Sequence, residues 1–434
     1  MRSHRQPVPK ISAAAIHTIV LILSAGALAA ADWPEWRGAS RDASTPGAPW
    51  ADSLSGLEVS WSVDLGKGYP GPVVLGNRVF VVETVDSRTE QARALDRSTG
   101  EELWRASWQG SGSVPFFARK NGDWVRSTPA VAEDGLYVGG MQEVLRRLDP
   151  ATGEQLWAVD LPQRFGTGVP EFGFASSPLL DGDGVIVQAA DSVVRLDRRT
   201  GETVWRSLAS AGSIFDSGAF SSPVIAELAG RRQLVVQTRE ALHGLDPLDG
   251  TELWRREVPN FRGMNILTPV VVDARRVLTS SYRNRTHLFE VRAAATGGGF
   301  EVEEIWSHKA HAYMSSPVVH QGHAYIHLGN RRLTCIALDS GETQWTSTPF
   351  GEYWSVALRG DRLLALDSDG TLLLLRLDSE ELELLDRRSV VDEESWAHVA
   401  VAGDQIFVRG LESLVALNWP RSSAADPGAA ATSD

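Results

Sequence analysis

Short runs of alternating apolar and polar residues recur along most of the chain, separated by turn residues such as Gly, Asp and Ser. Alternation with a period of two predicts β-strands that bury one face. The runs come in pairs, of which the first is Val79–Glu83 with Arg93–Asp96 and the eighth is Ile406–Arg409 with Leu414–Leu417. The pattern therefore predicts an all-β protein that contains eight β-hairpins.

A motif of the form Leu-Asp-x-x-Thr-Gly-Glu-x-x-Trp closes the hairpins and recurs at intervals typical of propeller blades. Complete copies begin at Leu95, Leu148 and Leu196, whereas later copies drift, for example with Ala337 at the Asp position. The Asp can bond the turn that follows it, the Gly permits a positive φ, and the Trp can fill the gap between neighbouring sheets. The residues assigned to this repeat are Asp96, Gly100, Trp104, Asp149, Gly153, Trp157, Asp197, Gly201, Trp205, Asp246, Gly250, Trp254, Trp306, Gly341 and Trp345.

A further apolar run precedes each pair and is often entered through Ser-Ser-Pro, as at Ser176–Pro178. Each repeat then supplies four strands, which predicts an eight-bladed β-propeller of four-stranded antiparallel blades. The last pair ends at Leu417 with no strand after it, while Leu57–Val63 is a lone strand before the first complete unit. We therefore expect the N-terminal strand to complete the last blade, because closure removes the exposed sheet edges.

The two ends of the chain differ from the repeats in composition. Residues 1–31 join a basic start to the apolar stretch Ile16–Leu28, which predicts a signal peptide and a protein of the periplasm or the extracellular space. Residues 32–56 form an N-terminal extension that we expect to lie outside the ring. The propeller is assigned to residues 57–419, and residues 420–434 are predicted to be a disordered tail.

Charge and cysteine content exclude some classes of partner and any internal disulfide. Removal of residues 1–31 takes away three positive charges and no acid, so the net charge goes from −13 to −16. Nucleic acid and anionic lipid are therefore not expected as partners. The single cysteine, Cys335, excludes an internal disulfide. We expect a monomer with no transmembrane segment once the signal is cleaved.

The repeat resembles that of the pyrroloquinoline-quinone (PQQ) β-propeller proteins, whose signature Ala-x-Asp-x-x-Thr-Gly-x-x-x-Trp is matched at Ala94–Trp104. The resemblance covers most of residues 57–419. Within that superfamily, the chain length and the opening Trp33–Asp42 are similar to those of BamB-like exported proteins. This resemblance implies a non-catalytic scaffold that binds exported or membrane-associated proteins in envelope or outer-membrane assembly. A PQQ-dependent dehydrogenase-like enzyme and a receptor for a small molecule or glycan remain as alternatives, since one fold hosts many activities.

Residues that could carry chemistry favour the non-catalytic interpretation. The quinoprotein dehydrogenases hold PQQ with an adjacent-Cys disulfide that one cysteine cannot form, and no segment matches their calcium ligands. We therefore expect neither PQQ nor calcium and assign no catalytic residue. His320, His323 and His327 flank a strand turn with no carboxylate or Cys beside them, and Asp181–Gly184 has the composition of a hairpin turn. We assign no metal site to either.

The candidate binding residues lie in the loops that lead from the outer strand of one blade to the inner strand of the next. These loops combine aromatic residues with Arg, which is the composition of binding hot spots. The alternative is that the aromatic rings fill the wide central channel, and for Trp354 and Trp396 both interpretations stand. The candidates are Phe116, Phe117, Arg119, Trp124, Arg126, Phe172, Phe174, Phe215, Phe220, Arg262, Tyr313, Tyr353, Trp354 and Trp396.

Overall fold

The computed structural model describes residues 32–110, 112, 114, 122–210 and 218–419. These residues form eight four-stranded antiparallel sheets, so the prediction of an all-β, eight-bladed propeller is confirmed. Within the described ranges, one short helix, α1 (Leu161–Phe165), connects the second blade to the third. No helix in this part of the chain is long and apolar enough to cross a membrane.

The strands of the first four blades follow the chain from the innermost to the outermost position. Blade 1 holds β2 (Val73–Leu75), β3 (Arg78–Val85), β4 (Thr89–Asp96) and β5 (Glu102–Gln109); blade 2 holds β6 (Ala130–Ala132), β7 (Gly135–Gly139), β8 (Val144–Leu148) and β9 (Gln155–Asp160); blade 3 holds β10 (Leu179–Asp181), β11 (Gly184–Ala189), β12 (Ser192–Asp197) and β13 (Thr203–Ser207); blade 4 holds β14 (Val224–Leu228), β15 (Arg231–Gln237), β16 (Ala241–Leu245) and β17 (Glu252–Glu257).

The last four blades repeat this order, except that the first strand of the chain is the outermost strand of the last blade. Blade 5 holds β18 (Val270–Val271), β19 (Arg276–Ser280), β20 (Thr286–Ala293) and β21 (Phe300–His308); blade 6 holds β22 (Val318–His320), β23 (His323–His327), β24 (Arg332–Ala337) and β25 (Thr343–Pro349); blade 7 holds β26 (Trp354–Arg359), β27 (Arg362–Asp367), β28 (Thr371–Arg376) and β29 (Glu383–Ser389); blade 8 holds β30 (Ala400–Ala402), β31 (Gln405–Arg409), β32 (Ser413–Asn418) and β1 (Glu58–Asp64).

The repeated Trp joins most blades to the next. Trp104 Nε1 donates to the carbonyl of Pro150 in the motif turn of the next blade, at 3.1 Å, and Trp157 Nε1 donates in the same way to Arg198, at 3.0 Å. The motif Gly lies directly beneath the Trp of the preceding blade: a Cβ at Gly153 would lie 2.5 Å from Trp104. The motif glycines have φ between 72° and 77°, a region that other residues rarely adopt. Both constraints therefore select Gly at this position.

Blade 5 shows what happens when the motif is lost. Its outer hairpin has a longer, glycine-rich turn in place of the motif turn, and the indole of Trp254 in the preceding blade does not donate to this turn. Its Nε1 donates instead to Gln233 Oε1 of its own blade, at 2.6 Å. The indole thus keeps a hydrogen-bond partner, as a buried N–H requires.

Antiparallel pairing of β1 with β32, from Glu58 opposite Asn418 to Asp64 opposite Ser413, closes the ring. The prediction that the N-terminal strand completes the last blade is therefore confirmed. Arg409, at the end of β31, reinforces this seam from inside: its Nη1 donates to the carbonyls of Pro70 and Val82 in blade 1, at 2.8 and 2.6 Å.

The segment 32–50 lies in the central channel, and we call it the axial plug. Its backbone pairs with innermost strands around the ring. Trp33 exchanges two hydrogen bonds with Val74 of blade 1, at 3.0 and 2.8 Å, and Thr45 N donates to Leu358 O of blade 7, at 2.8 Å. The Trp36 indole donates to Thr268 Oγ1 at the entry to blade 5, at 2.9 Å. The plug thus connects blades that are far apart in sequence.

Two buried arginines extend these contacts. Arg37 Nη2 donates to Pro317 O of blade 6, at 2.7 Å. Arg41 Nη1 donates to Pro178 O of blade 3, at 2.8 Å, and pairs with Glu35 at 2.6 Å. The expectation that residues 32–56 lie outside the ring is therefore wrong for the plug. The innermost strands of an eight-bladed ring present unpaired backbone groups to a wide channel, and long side chains with several donors can satisfy them.

Candidate functional site

The two faces of the ring carry different kinds of connection. On the loop face, long loops lead from each outermost strand to the innermost strand of the next blade, and short turns join the second and third strands. The opposite turn face carries the motif turns, such as the turn at Gly100. Since the loop face holds the longest and most varied segments, it is the natural place to look for a binding site.

A continuous series of aromatic rings, which we call the aromatic arc, follows the loop face from blade 1 to blade 5 by way of blades 8, 7 and 6. Its members are Trp124, Tyr69, Trp396, Tyr353, Tyr313, Tyr282 and Phe261. The successive ring centroids are separated by 5.7, 4.8, 4.6, 5.6, 4.2 and 6.3 Å. These distances are typical of aromatic pairs that stabilise one another. All members except the buried Tyr69 are partly exposed, so the arc offers preordered aromatic surface.

Four of the candidates named from the sequence belong to this arc: Trp124, Tyr313, Tyr353 and Trp396. Tyr69, Tyr282 and Phe261 were missed. Tyr69 lies in the loop between β1 and β2, which meets the same criterion once β1 is recognised as an outer strand. Tyr282 lies in a short turn between the second and third strands, a class of connection that the sequence analysis did not search.

The remaining candidates divide into several groups. Phe172 and Phe220 form an edge-to-face pair, at 5.6 Å, on the loops that flank blade 3. Phe174 and Trp354 are 1% and 4% exposed and belong to the core, where Trp354 stacks on His327 at 4.8 Å. Candidates Phe116, Phe117, Arg119 and Phe215 lie outside the described residues.

Cations lie over the rings of the arc. Lys67 Nζ is 5.1 Å from the ring of Trp124, and the Arg126 guanidinium is 5.6 Å from Tyr69. At the other end of the arc, Arg262 and Arg283 lie 5.2 and 5.0 Å from the centroid of Phe261. Such contacts fix the rings and place positive charge beside them.

Buried carboxylates hold the turns of the loop face in place. Glu90 accepts from Met141 N of the next blade, at 2.7 Å, and from Trp108 Nε1, at 2.8 Å. Glu143 accepts from Ala190 N of blade 3, at 2.8 Å. Burial raises the pKa of both acids, and that of Glu143 reaches about 8. Each acid thus connects neighbouring blades, and Glu143 is largely protonated at neutral pH.

The raised pKa of Glu143 predicts a pH dependence of stability. An acid whose pKa is higher in the folded state stabilises most below its unfolded pKa, and that stabilisation is lost as pH rises towards the folded value of about 8. Between pH 5 and 8, the free energy of unfolding should therefore fall by up to about 1.4 kcal/mol per pH unit from this group. In the variant Glu143→Gln this slope should disappear, whereas the exposed Glu154→Gln should retain it. Urea unfolding at several pH values measures the difference, and parallel slopes for all three proteins would contradict the assignment.

The histidines considered from the sequence are parts of the packing. Burial lowers the pKa of His327 to about 4. His320 and His323 face each other across the turn of their hairpin. Asp181 accepts from Arg195 of its own blade, at 2.6 Å, and pairs with Arg232 of blade 4. Within the described ranges, no group of three or more His, Cys, Asp or Glu side chains could hold a metal ion.

One cavity beside the axial plug is small. This axial cavity, of about 50 Å³, lies next to Trp36 of the plug. Its lining also includes Trp354, Trp396 and His398. A cavity of about 510 Å³ lies away from the axis, between blades 3 and 4, with Arg239, His243 and Arg262 in its lining. Sites for drug-sized ligands usually measure about 300–1,000 Å³. The axial cavity is well below this range.

Eight four-stranded blades, joined through a repeated Trp and closed by the N-terminal strand, define the class of PQQ-repeat β-propeller proteins. A family model described as "Outer membrane protein assembly factor BamB" matches residues 88–347. The chain belongs to this family. A comparison with curated protein sequences gives no match.

Solved structures of low sequence identity share the fold. BamB from Moraxella catarrhalis is 15% identical, with a TM-score of 0.59 over 84% of this chain and 98% of that chain. The quinohemoprotein alcohol dehydrogenase from Comamonas testosteroni is 13% identical, with a TM-score of 0.64 over 91% of this chain and 81% of that chain. At these identities the likeness shows the fold alone, because the same fold occurs in BamB and in an alcohol dehydrogenase.

Proposed function

We propose that the protein is an exported, non-catalytic scaffold that binds other proteins of the cell envelope through its loop face. The observation that carries this proposal is the aromatic arc, a preordered series of partly exposed rings with cations beside them. Aromatic residues and Arg dominate the energetics of protein interfaces. Rings that already pack on one another lose little conformational entropy when a partner binds.

Membership of the BamB family supports this proposal, since the family description itself names assembly of outer membrane proteins. It also supports a location in the periplasm or the extracellular space, in agreement with the signal peptide expected at residues 1–31, a segment outside the described residues. The particular partners of this chain are not specified by the family.

The axial plug argues against a quinone cofactor. A three-ring cofactor at the axis would need a cavity of several hundred Å³. The cavity there measures about 50 Å³, and the side chains of Trp36, Arg37 and Arg41 already bond the surrounding blades. The residues present do not fit PQQ at this place, so we propose no cofactor and derive no catalytic step.

Site-specific photo-crosslinking in cells tests the proposal. A benzoyl-phenylalanine residue at Tyr353 of the arc should give discrete adducts with exported proteins. The same group at Leu248 serves as the matched control, because this side chain is 73% exposed but lies in a motif turn on the turn face. Replacing Trp396 and Tyr313 with alanine should reduce the Tyr353 adducts at least tenfold.

Equal adducts from both faces, or adducts that survive loss of the two rings, would contradict a role of the arc. The cofactor proposal is tested on the same protein by titration with PQQ and Ca²⁺. Tryptophan fluorescence should show no saturable change, and tight binding with reduction of a dye would favour the enzyme instead.

A further inference from the structure

Four exposed cations lie on the loop face around blade 5. Arg262 lies in the loop that enters blade 5, Arg283 and Arg285 lie in the turn between β19 and β20, and Lys309 begins the loop that enters blade 6. We call these four residues the cationic sector. It stands out on a chain whose net charge is −13.

The geometry holds these charges close to one another and to the arc. The guanidinium groups of Arg262 and Arg283 share the ring of Phe261, and Arg283 is also 5.2 Å from the ring of Tyr282. The positive charges of Lys309 and Arg285 both lower the pKa of His308, in addition to the effect of burial. The four charges therefore act together as one region of positive electrostatic potential.

The acids of this region are already paired with other cations. Arg255 pairs with Glu240 and Glu257, at 4.0 and 3.1 Å, and Arg331 pairs with Glu352, at 3.6 Å. Among the described residues, no acidic side chain forms an ion pair with any of the four cations of the sector. Within the described part of the chain, positive charge next to exposed rings is thus left without an acidic partner.

The backbone gives a second observation. Arg262 and Arg283 both have a φ of 54°, in the left-handed region that favours Gly or Asn. Arg283 occupies the third position of a turn in which Asn284 N donates to Ser281 O, at 3.2 Å. A long charged side chain at such a position costs about 1 kcal/mol or more. Positive φ values also occur at the equivalent turns of other blades, such as Ala190 and Arg331, so here they mark positions at which Gly can replace Arg without strain.

We propose that the cationic sector binds an acidic, extended segment of the protein partner, whose carboxylates pair with the guanidinium groups while its apolar side chains contact the arc. This inference rests on the proposed function and specifies the chemistry of the partner. The net negative charge of the whole chain opposes a large polyanion such as nucleic acid or an anionic membrane. A short acidic segment meets only the local field, because screening limits charge effects to about 8–10 Å at physiological salt.

The left-handed φ values supply variants that keep the fold. Gly accepts a φ of 54° without strain, so Arg262→Gly and Arg283→Gly remove charge while relaxing the backbone. Arg88→Gly is the control for loss of an exposed positive charge elsewhere, since Arg88 lies on the loop face in the turn between β3 and β4 of blade 1. The melting temperature of the double variant should be no lower than that of the parent protein.

The probe is a fluorescein-labelled peptide of twelve residues, ten glutamates and two phenylalanines, compared with a peptide that carries glutamine at every glutamate position. Fluorescence anisotropy should show binding of the acidic peptide that weakens as salt increases. The glutamine peptide should bind at least tenfold more weakly. The double variant Arg262→Gly with Arg283→Gly should lose at least tenfold in affinity for the acidic peptide, whereas Arg88→Gly should change it less than twofold.

Equal affinity for both peptides, or an equal loss in Arg88→Gly, would overturn the inference. So would binding of heparin or of phosphatidylglycerol vesicles that depends on Arg262 and Arg283 in the absence of peptide binding, because it would assign the sector to a glycan or a membrane. A concentration-dependent dimer that the double variant abolishes would assign it to a second copy of the chain. The crosslinking at Tyr353 is read independently, so failure of the peptide test leaves the scaffold proposal standing.

Discussion

Replacing Arg41 with methionine should lower the free energy of unfolding by about 3–5 kcal/mol. The substitution keeps most of the side-chain volume but leaves the Glu35 carboxylate buried without its partner, and it removes the donor that bonds Pro178 O. Burial already raises the pKa of Glu35, and the Arg41 charge opposes that rise. Without Arg41, less of the cost of burying this carboxylate is offset by a neighbouring positive charge. Only the folded state bears this cost, so the free energy of unfolding decreases.

Denaturant unfolding measures this effect, with the exposed Arg105→Met as the control that should stay within about 1 kcal/mol of the parent. The double variant Glu35→Leu with Arg41→Met should recover much of the loss, because an apolar pair of similar volume often replaces a buried ion pair without penalty. A loss below about 1 kcal/mol in Arg41→Met alone would show that the plug does not hold the blades together.

Replacing Arg409 with methionine should have an effect of similar size, about 3 kcal/mol or more, concentrated at the seam between blades 8 and 1. The fully buried guanidinium bonds the carbonyls of Pro70 and Val82, and burial lowers its pKa to about 10, so it stays charged at neutral pH. Its loss leaves these carbonyls without a donor, and each buried unsatisfied group costs about 1–3 kcal/mol.

Hydrogen exchange distinguishes this seam from general destabilisation. In Arg409→Met, the amides of β1, β32 and β3 should exchange faster than those of β15 and β16 on the far side of the ring. In Arg41→Met, by contrast, the increase should extend to several blades, because the plug contacts many of them. Uniform exchange in both variants would contradict the separate roles of closure and plug.

Most of the stabilising contacts lie away from the proposed binding surface. The motif turns and the repeated Trp connect neighbouring blades, the plug connects distant ones, and the buried acids Glu90 and Glu143 hold the loop-face turns, so the exposed side chains of the loop face carry few of these contacts. This division explains why variants at exposed Arg262 and Arg283 can be expected to fold while changing affinity.

The blade repeat could be predicted from the sequence because each of its parts is local. The alternation of apolar residues, the Asp and Gly of the turn and the Trp that follows lie within a few residues of one another, as in the segment from Leu95 to Trp104. Closure was also predictable, because Leu57–Val63 is a strand without a blade and the last blade lacks one strand. Pairing the two leaves no strand unpaired. These features fix the fold class and the number of blades.

The plug and the arc were decided by the tertiary structure. Arg37 and Pro317, which meet at the axis, are separated by 280 residues, and no local pattern connects them. The arc likewise joins rings from six loops and one turn, whose order in space follows the ring rather than the chain. Hydropathy patterns and turn residues predict the local secondary structure of a segment. Contacts across a closed ring depend instead on which distant segments the blades bring together.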